Sequence, residues 1–227
     1  MSIETMSFYV QLPLVWLAPA SQNLRTLCLS ADAPWGWYPK VDLRGIYFPF
    51  LKDLTLARFT FSHDWQLQWL SGHAGSLTHL VLTECAILDN ATSAKQHFDG
   101  EGYPPGLEPD GNDTQVKGFH SHKTRWSDYF RTIEASLPEV RFFSLLSPDH
   151  AIKGTHLQAI INEEVAAIRN PYRYLEYFWN HYLPLFGRLD EVQNYLRFEA
   201  RKSQQDEDEQ ALRELLASIQ RRITART

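Results

Sequence analysis

The sequence predicts an α/β fold, a solenoid with short parallel strands on one face and helices on the other, continued by C-terminal helices. Three observations carry this expectation. Leu24-x-x-Leu27-x-Leu29, Leu51-x-x-Leu54-x-Leu56 and Leu77-x-x-Leu80-x-Leu82 stand in one register, with first leucines 27 and then 26 residues apart. Stretches of helical spacing separate the triplets, and strands that recur at such intervals need a crossover to lie parallel. Beyond residue 150, apolar stripes at helical spacing replace the triplets.

Each triplet reads as a short strand. Leucines two residues apart share one face, so Leu27 with Leu29, Leu54 with Leu56 and Leu80 with Leu82 point to a core while the residues between them face solvent. The third copy runs on to Cys85 and Ile87 as L-x-x-L-x-L-x-x-C-x-I, which fits the leucine-rich-repeat pattern and its period. Ser62 is the expected N-cap of a return helix in which Leu67, Trp69 and Leu70 keep helical spacing, and Gly72 ends it. Trp16-Leu17 precedes Leu24 by the interval at which Trp69-Leu70 precedes Leu77, so the first unit begins upstream of its strand. Pro138 to Leu145 overlays Pro49 to Leu56 as a fourth copy, with a helix expected over about Trp126 to Ser136.

Between the third and fourth copies, Asp89 to Lys123 holds five of the eleven glycines and Pro104, Pro105 and Pro109, which predicts a disordered insertion at 89–123. After the fourth copy, Thr155 to Gln158 reads as a capping box before the stripe Leu157, Ile160, Ile161, Val165 and Ile168. The aromatic run Tyr172 to Phe186 is compatible with strand or helix. Asp206 to Glu209 is expected as the solvated start of an amphipathic helix with the stripe Leu212, Leu215, Leu216 and Ile219. The expected domains are therefore 1–150, a leucine-rich-repeat-like solenoid with its insertion, and 151–227, a helical and aromatic extension packed on the solenoid end.

Composition excludes several function classes. A formal charge of -5 over 227 residues, with a pI near 6.0, supplies no basic field for nucleic acid or anionic membranes. Phe8 to Ala20 is apolar but interrupted by Gln11, Pro13 and Pro19, too short to span a bilayer and without a basic segment before it. Only two cysteines occur, both inside repeats, so no disulfide framework is expected and the compartment reads as intracellular, cytoplasm or nucleus. Asn90-Ala91-Thr92 and Asn112-Asp113-Thr114 match the glycosylation tripeptide but read as loop residues in that setting.

No catalytic grouping has the spacing that chemistry requires, so the chain is not expected to be an enzyme or to carry a cofactor. His120-Ser121-His122, with His97, Asp99 and Asp113, shares a loop that fixes no ligand set, and no metal is expected. His63-Asp64 cannot act as a base and its orienting acid, because adjacent helix residues do not face one another. The candidate partner-binding residues are those between the buried leucines, Thr26, Cys28, Asp53, Thr55, His79 and Val81, extended by Phe142 and Ser144. Trp35, Trp37 and Tyr38, in Trp35-Gly36-Trp37-Tyr38, are a second candidate: exposed, they would form an aromatic hot spot, and otherwise they cover the solenoid.

Phe48-Pro49-Phe50-Leu51-Lys52-Asp53-Leu54-Thr55-Leu56, followed by Phe59 to Leu70, resembles the repeats of filamentous-fungal F-box proteins. Those carry a similar Phe-Pro and leucine motif, a Phe-rich turn and a Trp-containing helix. The likeness continues through Ser76 to Leu82 with Cys85 to Leu88, Arg125 to Phe130 with Leu137-Pro138, and Asp208 to Leu216. The resemblance implies a non-enzymatic substrate receptor of an SCF-type ubiquitin ligase that binds a protein substrate. A Skp-type adaptor and a cullin would be partners only if an F-box lies upstream, since none is visible here and the chain looks truncated at its front. The alternatives are an adaptor-free leucine-rich-repeat scaffold with no ubiquitin-ligase role and, from another class, a small hydrolase in the aromatic C-terminal region.

Overall fold

In the computed structural model the described residues are 3–93, 98–104, 118–146, 174–179, 196–199 and 202–226. The strands are β1 (Thr26–Leu29), β2 (Asp53–Ala57), β3 (Thr60–Phe61), β4 (His79–Thr83), β5 (Ala86–Ser93), β6 (Gly118–Ser121), β7 (Phe142–Leu146), β8 (Tyr174–Trp179) and β9 (Leu196–Glu199). The helices are α1 (Ile3–Gln11), α2 (Asp64–Ser71), α3 (Trp126–Ser136) and α4 (Lys202–Thr224), and α1 runs on through a π-helical turn, Leu12–Leu17.

The leucine triplets form β1, β2 and β4, and the fourth copy forms β7. These four lie parallel in chain order. Leu27 pairs with Leu54, Leu54 with Leu80 and Leu80 with Phe143, while Leu29, Leu56, Leu82 and Leu145 make a second row. Both rows enter one core, joined by Phe48, Phe59, Phe61, Trp126 and Phe130. A slip of one residue would turn every leucine outward, so burial of one face fixes the register. The expected helices return the chain: α3 spans the predicted residues, and α2 ends at Gly72. Its N-cap is His63 rather than Ser62, because the Gln66 amide oxygen accepts from both the Ser62 and His63 backbone N–H groups. The Ser62 hydroxyl turns instead to the His63 ring.

The insertion expected to be disordered over 89–123 is largely corrected in the parts described. β5 runs through Ser93, with β6 antiparallel on one side and β8 parallel on the other, so its backbone groups have partners along both edges. Asn90 is accordingly a strand residue, opposite Ser121 and Glu176, rather than a loop residue. The aromatic run resolves as strand where it is described, in β8, which also pairs with β9. The second sheet thus has the path β3-β5-β8-β9. The helix expected over 157–168 lies outside the described residues.

The bend between the sheets repeats. Arg58 and Glu84, four residues after Leu54 and Leu80, both adopt left-handed backbone, with φ of 59° and 54°. Such a conformation costs a non-glycine residue roughly 1–2 kcal/mol. The two side chains offset it by joining: Arg58 Nε donates to Glu84 Oε2 at 2.8 Å, and Arg58 Nη1 donates to the Asp32 carbonyl at 2.7 Å. Beside the bend, the buried Cys85 thiol donates to the Leu56 carbonyl at 3.3 Å, linking neighbouring units. That is a physical use for the Cys in the repeat pattern.

α4 packs on α3 and adds Ala211, Leu215 and Ile219 to the core. The acidic run is not the start of the helix, and only part of it, including Asp206 and Glu207, is solvated. The helix begins four residues before Asp206, and Asp208 is 1% exposed, accepting a 2.8 Å hydrogen bond from the Ser127 backbone N–H. The first N–H groups of α3 have no intrahelical partner, and the positive end of the helix favours a carboxylate there. Asp208→Ala should lower stability by about 1–3 kcal/mol in urea denaturation. Asp206→Ala, exposed on the same helix, should change it by less than about 0.5 kcal/mol.

Candidate functional site

The candidate face is the side of the four-stranded sheet opposite the leucine rows. Parallel pairing places Thr26, Asp53, His79 and Phe142 in one cross-strand row and Cys28, Thr55, Val81 and Ser144 in the next. Thr26, Cys28 and His79 are exposed, and Asp53, Thr55, Phe142 and Ser144 are half-buried. Val81 departs from the expectation of a solvent-facing residue, at 7% exposure. It sits on a central strand with Thr55 and Ser144 as its neighbours in the row.

The first row is prearranged. The Thr26 hydroxyl donates to Asp53 Oδ2 at 3.0 Å, and His79 Nδ1 lies 2.8 Å from Asp53 Oδ1. The Thr78 hydroxyl donates to the Lys52 carbonyl at 3.1 Å, which leaves its oxygen to accept from His79 Nδ1–H at 3.0 Å. His79 therefore carries a proton on Nδ1 and turns Nε2 away from this network. The His79 ring tilts against Phe142, centroids 6.0 Å apart. An acid on Nδ1 is half of a proton relay. Among the described residues no hydroxyl or thiol is hydrogen-bonded to Nε2, and the row presents hydrogen-bonding groups. Exposed pairs of this kind contribute only about 0–1 kcal/mol to stability. Beyond the N-terminal ends of the strands, a shallow cleft of about 410 Å³ is lined by Arg25, Phe50, Lys52, Thr78 and Glu139 among others.

The aromatic candidates are placed elsewhere. Trp35 and Trp37 are each 1% exposed, which corrects the reading of an exposed hot spot. The Trp35 indole N–H donates to the Ala57 carbonyl at 2.7 Å, and its ring packs edge-on against Phe59 at 4.8 Å. The Trp37 indole N–H donates to the Gly102 carbonyl at 3.0 Å. Large rings whose single donor is met inside are core residues. Tyr38 is half-buried against the small core around Trp37.

Two groupings escaped the sequence reading. Arg58 with Glu84 had a signal, opposite charges at equivalent positions of adjacent repeats. Of His63, His120 and His122 the sequence showed only the pair His120 and His122, because His63 joins them across 57 residues of chain or more, where β6 pairs with β5. Lys40, Asp42, Arg44, Asp99 and Glu101 form an exposed ion network beside them, in which Arg44 reaches both Asp42 and Glu101 at 2.6 Å. His97 and Asp113 lie outside the described residues. Among the described residues, no three His, Cys, Asp or Glu side chains are arranged to hold a metal ion, and no helix is long and apolar enough to cross a membrane. Comparison with known proteins gives no matching family model, no matching curated protein and no matching solved structure.

Proposed function

We propose that the protein is a non-enzymatic recognition module of leucine-rich-repeat type, a solenoid whose parallel-strand face holds a segment of a partner protein. The observation that carries this reading is the row Thr26, Asp53, His79 and Phe142, which offers fixed hydrogen-bonding groups beside an aromatic ring. Side chains held by their neighbours lose little freedom on binding, which favours affinity. The solenoid assignment is supported by four strands whose chain order equals their spatial order, and by the bend repeated at Arg58 and Glu84. Solenoids of this kind use their strand face for partners.

Within that class, the repeat motifs support a substrate receptor resembling the F-box type, which would hold its target near an SCF-type ubiquitin ligase. The test is affinity purification from the native locus of the chain tagged at its C-terminus, beside a Thr55→Arg variant. Thr55 is half-buried at the centre of the face, so an arginine there can extend over it. Where an F-box lies upstream, a Skp-type adaptor and a cullin are expected to co-purify with both forms. The variant should lose its substrate at least tenfold while its stability changes by less than about 1 kcal/mol. Absence of adaptor and cullin from both would sink the ligase assignment, and a partner retained equally by both would sink the face.

A further inference from the structure

We propose that His63, His120 and His122 form a proton-sensitive clasp that holds residues 98–104 against the N-terminus of α2 at neutral pH and releases them in mild acid. The proposal is independent of the interaction face. Its basis is the convergence of His63 and His120, from two distant segments, on one strap of backbone, with His122 coupled electrostatically to both. His63 Nε2 lies 2.7 Å from the Glu101 carbonyl and must donate to it, so Nδ1 accepts from the Ser62 hydroxyl at 2.8 Å. Its ring stacks on Tyr103 at 4.4 Å and on His120 at 4.8 Å. His120 Nε2 donates to the Ser62 carbonyl at 3.0 Å. Its other edge fits against Gly102, whose φ is +86° and where a Cβ would fall 2.1 Å from His120 Nδ1. His122 is 6% exposed, its Nε2 is buried with no hydrogen-bond partner, and its Nδ1 is 3.9 Å from Asp64 Oδ1.

Every neighbouring group bears on the charge this cluster tolerates. Asp64 at the start of α2 favours a protonated His122, but its carboxylate already accepts from the Thr124 hydroxyl at 2.6 Å. Arg125, beside β6, opposes it, and Asp89 of β5 faces Arg125 rather than the rings, at 2.9 Å. Lys40 also opposes a charged His63, while Arg44 is bound up with both Asp42 and Glu101. Tyr103 and Tyr129 stay neutral, both pushed up by burial. The positive end of α2 disfavours a cation at its N-cap, and two stacked imidazolium rings repel.

Burial accordingly pushes the His122 imidazole down to about 4, with His63, His120 and Arg125 adding to the effect, and burial lowers His63 as well. Above the ordinary histidine value of 6.5 both open and closed forms are neutral and pH has no effect. Between 6.5 and about 4 the open form takes up the proton first, so opening is favoured as pH falls, and the effect levels off below about 4. Where opening also exposes His122, its share amounts to roughly thirtyfold more opening at pH 5 than at pH 7.5. The Arg44 and Lys40 hydrogen bonds hold Glu101 down to about 2, so its carboxylate does not titrate in this window. Release would uncover Trp37, whose indole N–H the strap holds through the Gly102 carbonyl, and expose the strap's own Tyr103.

Amide hydrogen exchange of the full chain, read by mass spectrometry as protection factors at pH 7.5 and 5.0, tests this. Peptides covering 98–104 should lose at least tenfold protection at pH 5.0, while those covering β2 and β4 keep theirs. The local reading matters because His73, buried between Phe48 and Trp69 and lowered by burial, gives global stability its own acid dependence. In H63Q/H122Q the loss should shrink to under threefold. Protection of 98–104 that is independent of pH, or that falls together with β2 and β4, overturns the clasp even if the double variant does not fold.

Discussion

Trp35→Ala is expected to lower the stability of the chain by about 3–5 kcal/mol, the range for removing a buried tryptophan. For a domain held by roughly 5–15 kcal/mol, that is a large fraction of the whole. Three losses add. The ring, 1% exposed, leaves a cavity between Tyr9 and Phe59, with which it makes ring contacts at 6.1 and 4.8 Å. The Ala57 carbonyl loses the indole N–H that reaches it at 2.7 Å. The connection before β2 also loses its ring anchor at this residue, where only the backbone bonds remain, Trp35 N–H to the Arg58 carbonyl and Thr60 N–H to the Trp35 carbonyl. Urea denaturation gives the number. Trp16→Ala, at a ring 61% exposed, is the control, and should change stability by less than about 1 kcal/mol. Equal effects at the two sites would mean that Trp35 is not the packed ring described.

That comparison also marks what was legible in the sequence. Leu27, Leu54 and Leu80 recur at a spacing that admits one sheet and one register, so β1, β2, β4 and the solvent face opposite could be read from spacing alone. The helices α2 and α3 were legible because local apolar period and their ends coincide. The second sheet was not. β3 is only two residues long, and β5 enters a stretch rich in glycine and proline whose strand character comes from pairing with β6 and β8, partners far away in sequence. Trp35 and Trp37 were ambiguous for a different reason. A tryptophan suits a hot spot and a core equally, and only the position of an acceptor such as the Ala57 carbonyl decides between them. Asp208 was misplaced because its partner, the Ser127 N–H, lies 81 residues away. The face residues could be named but their order could not, since the Thr26, Asp53 and His79 bonds depend on side-chain direction.

Gly36→Ala should cost about 2–6 kcal/mol, through two effects that a single methyl group brings together. The backbone at Gly36 has φ of +104°, where an L side chain is strained by about 1–3 kcal/mol. The loop cannot relax by changing φ freely, because the Gly36 N–H donates to the Pro39 carbonyl at 2.9 Å and the Val41 N–H to the Gly36 carbonyl at 3.1 Å. The added Cβ would also lie 2.6 Å from Phe59 Cε2 and 2.8 Å from Cδ2. Phe59 is 2% exposed and packs edge-on against both Trp35 and Phe61, so its ring has nowhere to swing without displacing the core; overpacking of this sort costs about 1–3 kcal/mol. Other glycines separate the two effects. Gly45 has φ of +79° but nothing within 4 Å of its would-be Cβ, so Gly45→Ala should show strain alone. Gly75 has open space and no positive φ, so Gly75→Ala should be neutral or stabilise by up to about 1 kcal/mol. Denaturation midpoints should therefore fall in the order Gly75→Ala, Gly45→Ala, Gly36→Ala. Adding Phe59→Leu to Gly36→Ala should cost less than Phe59→Leu does in the parent chain, because the smaller side chain relieves the clash. If Gly36→Ala matches Gly45→Ala and the pair is simply additive, the methyl group meets no ring, and the close approach of this loop to the core is wrong.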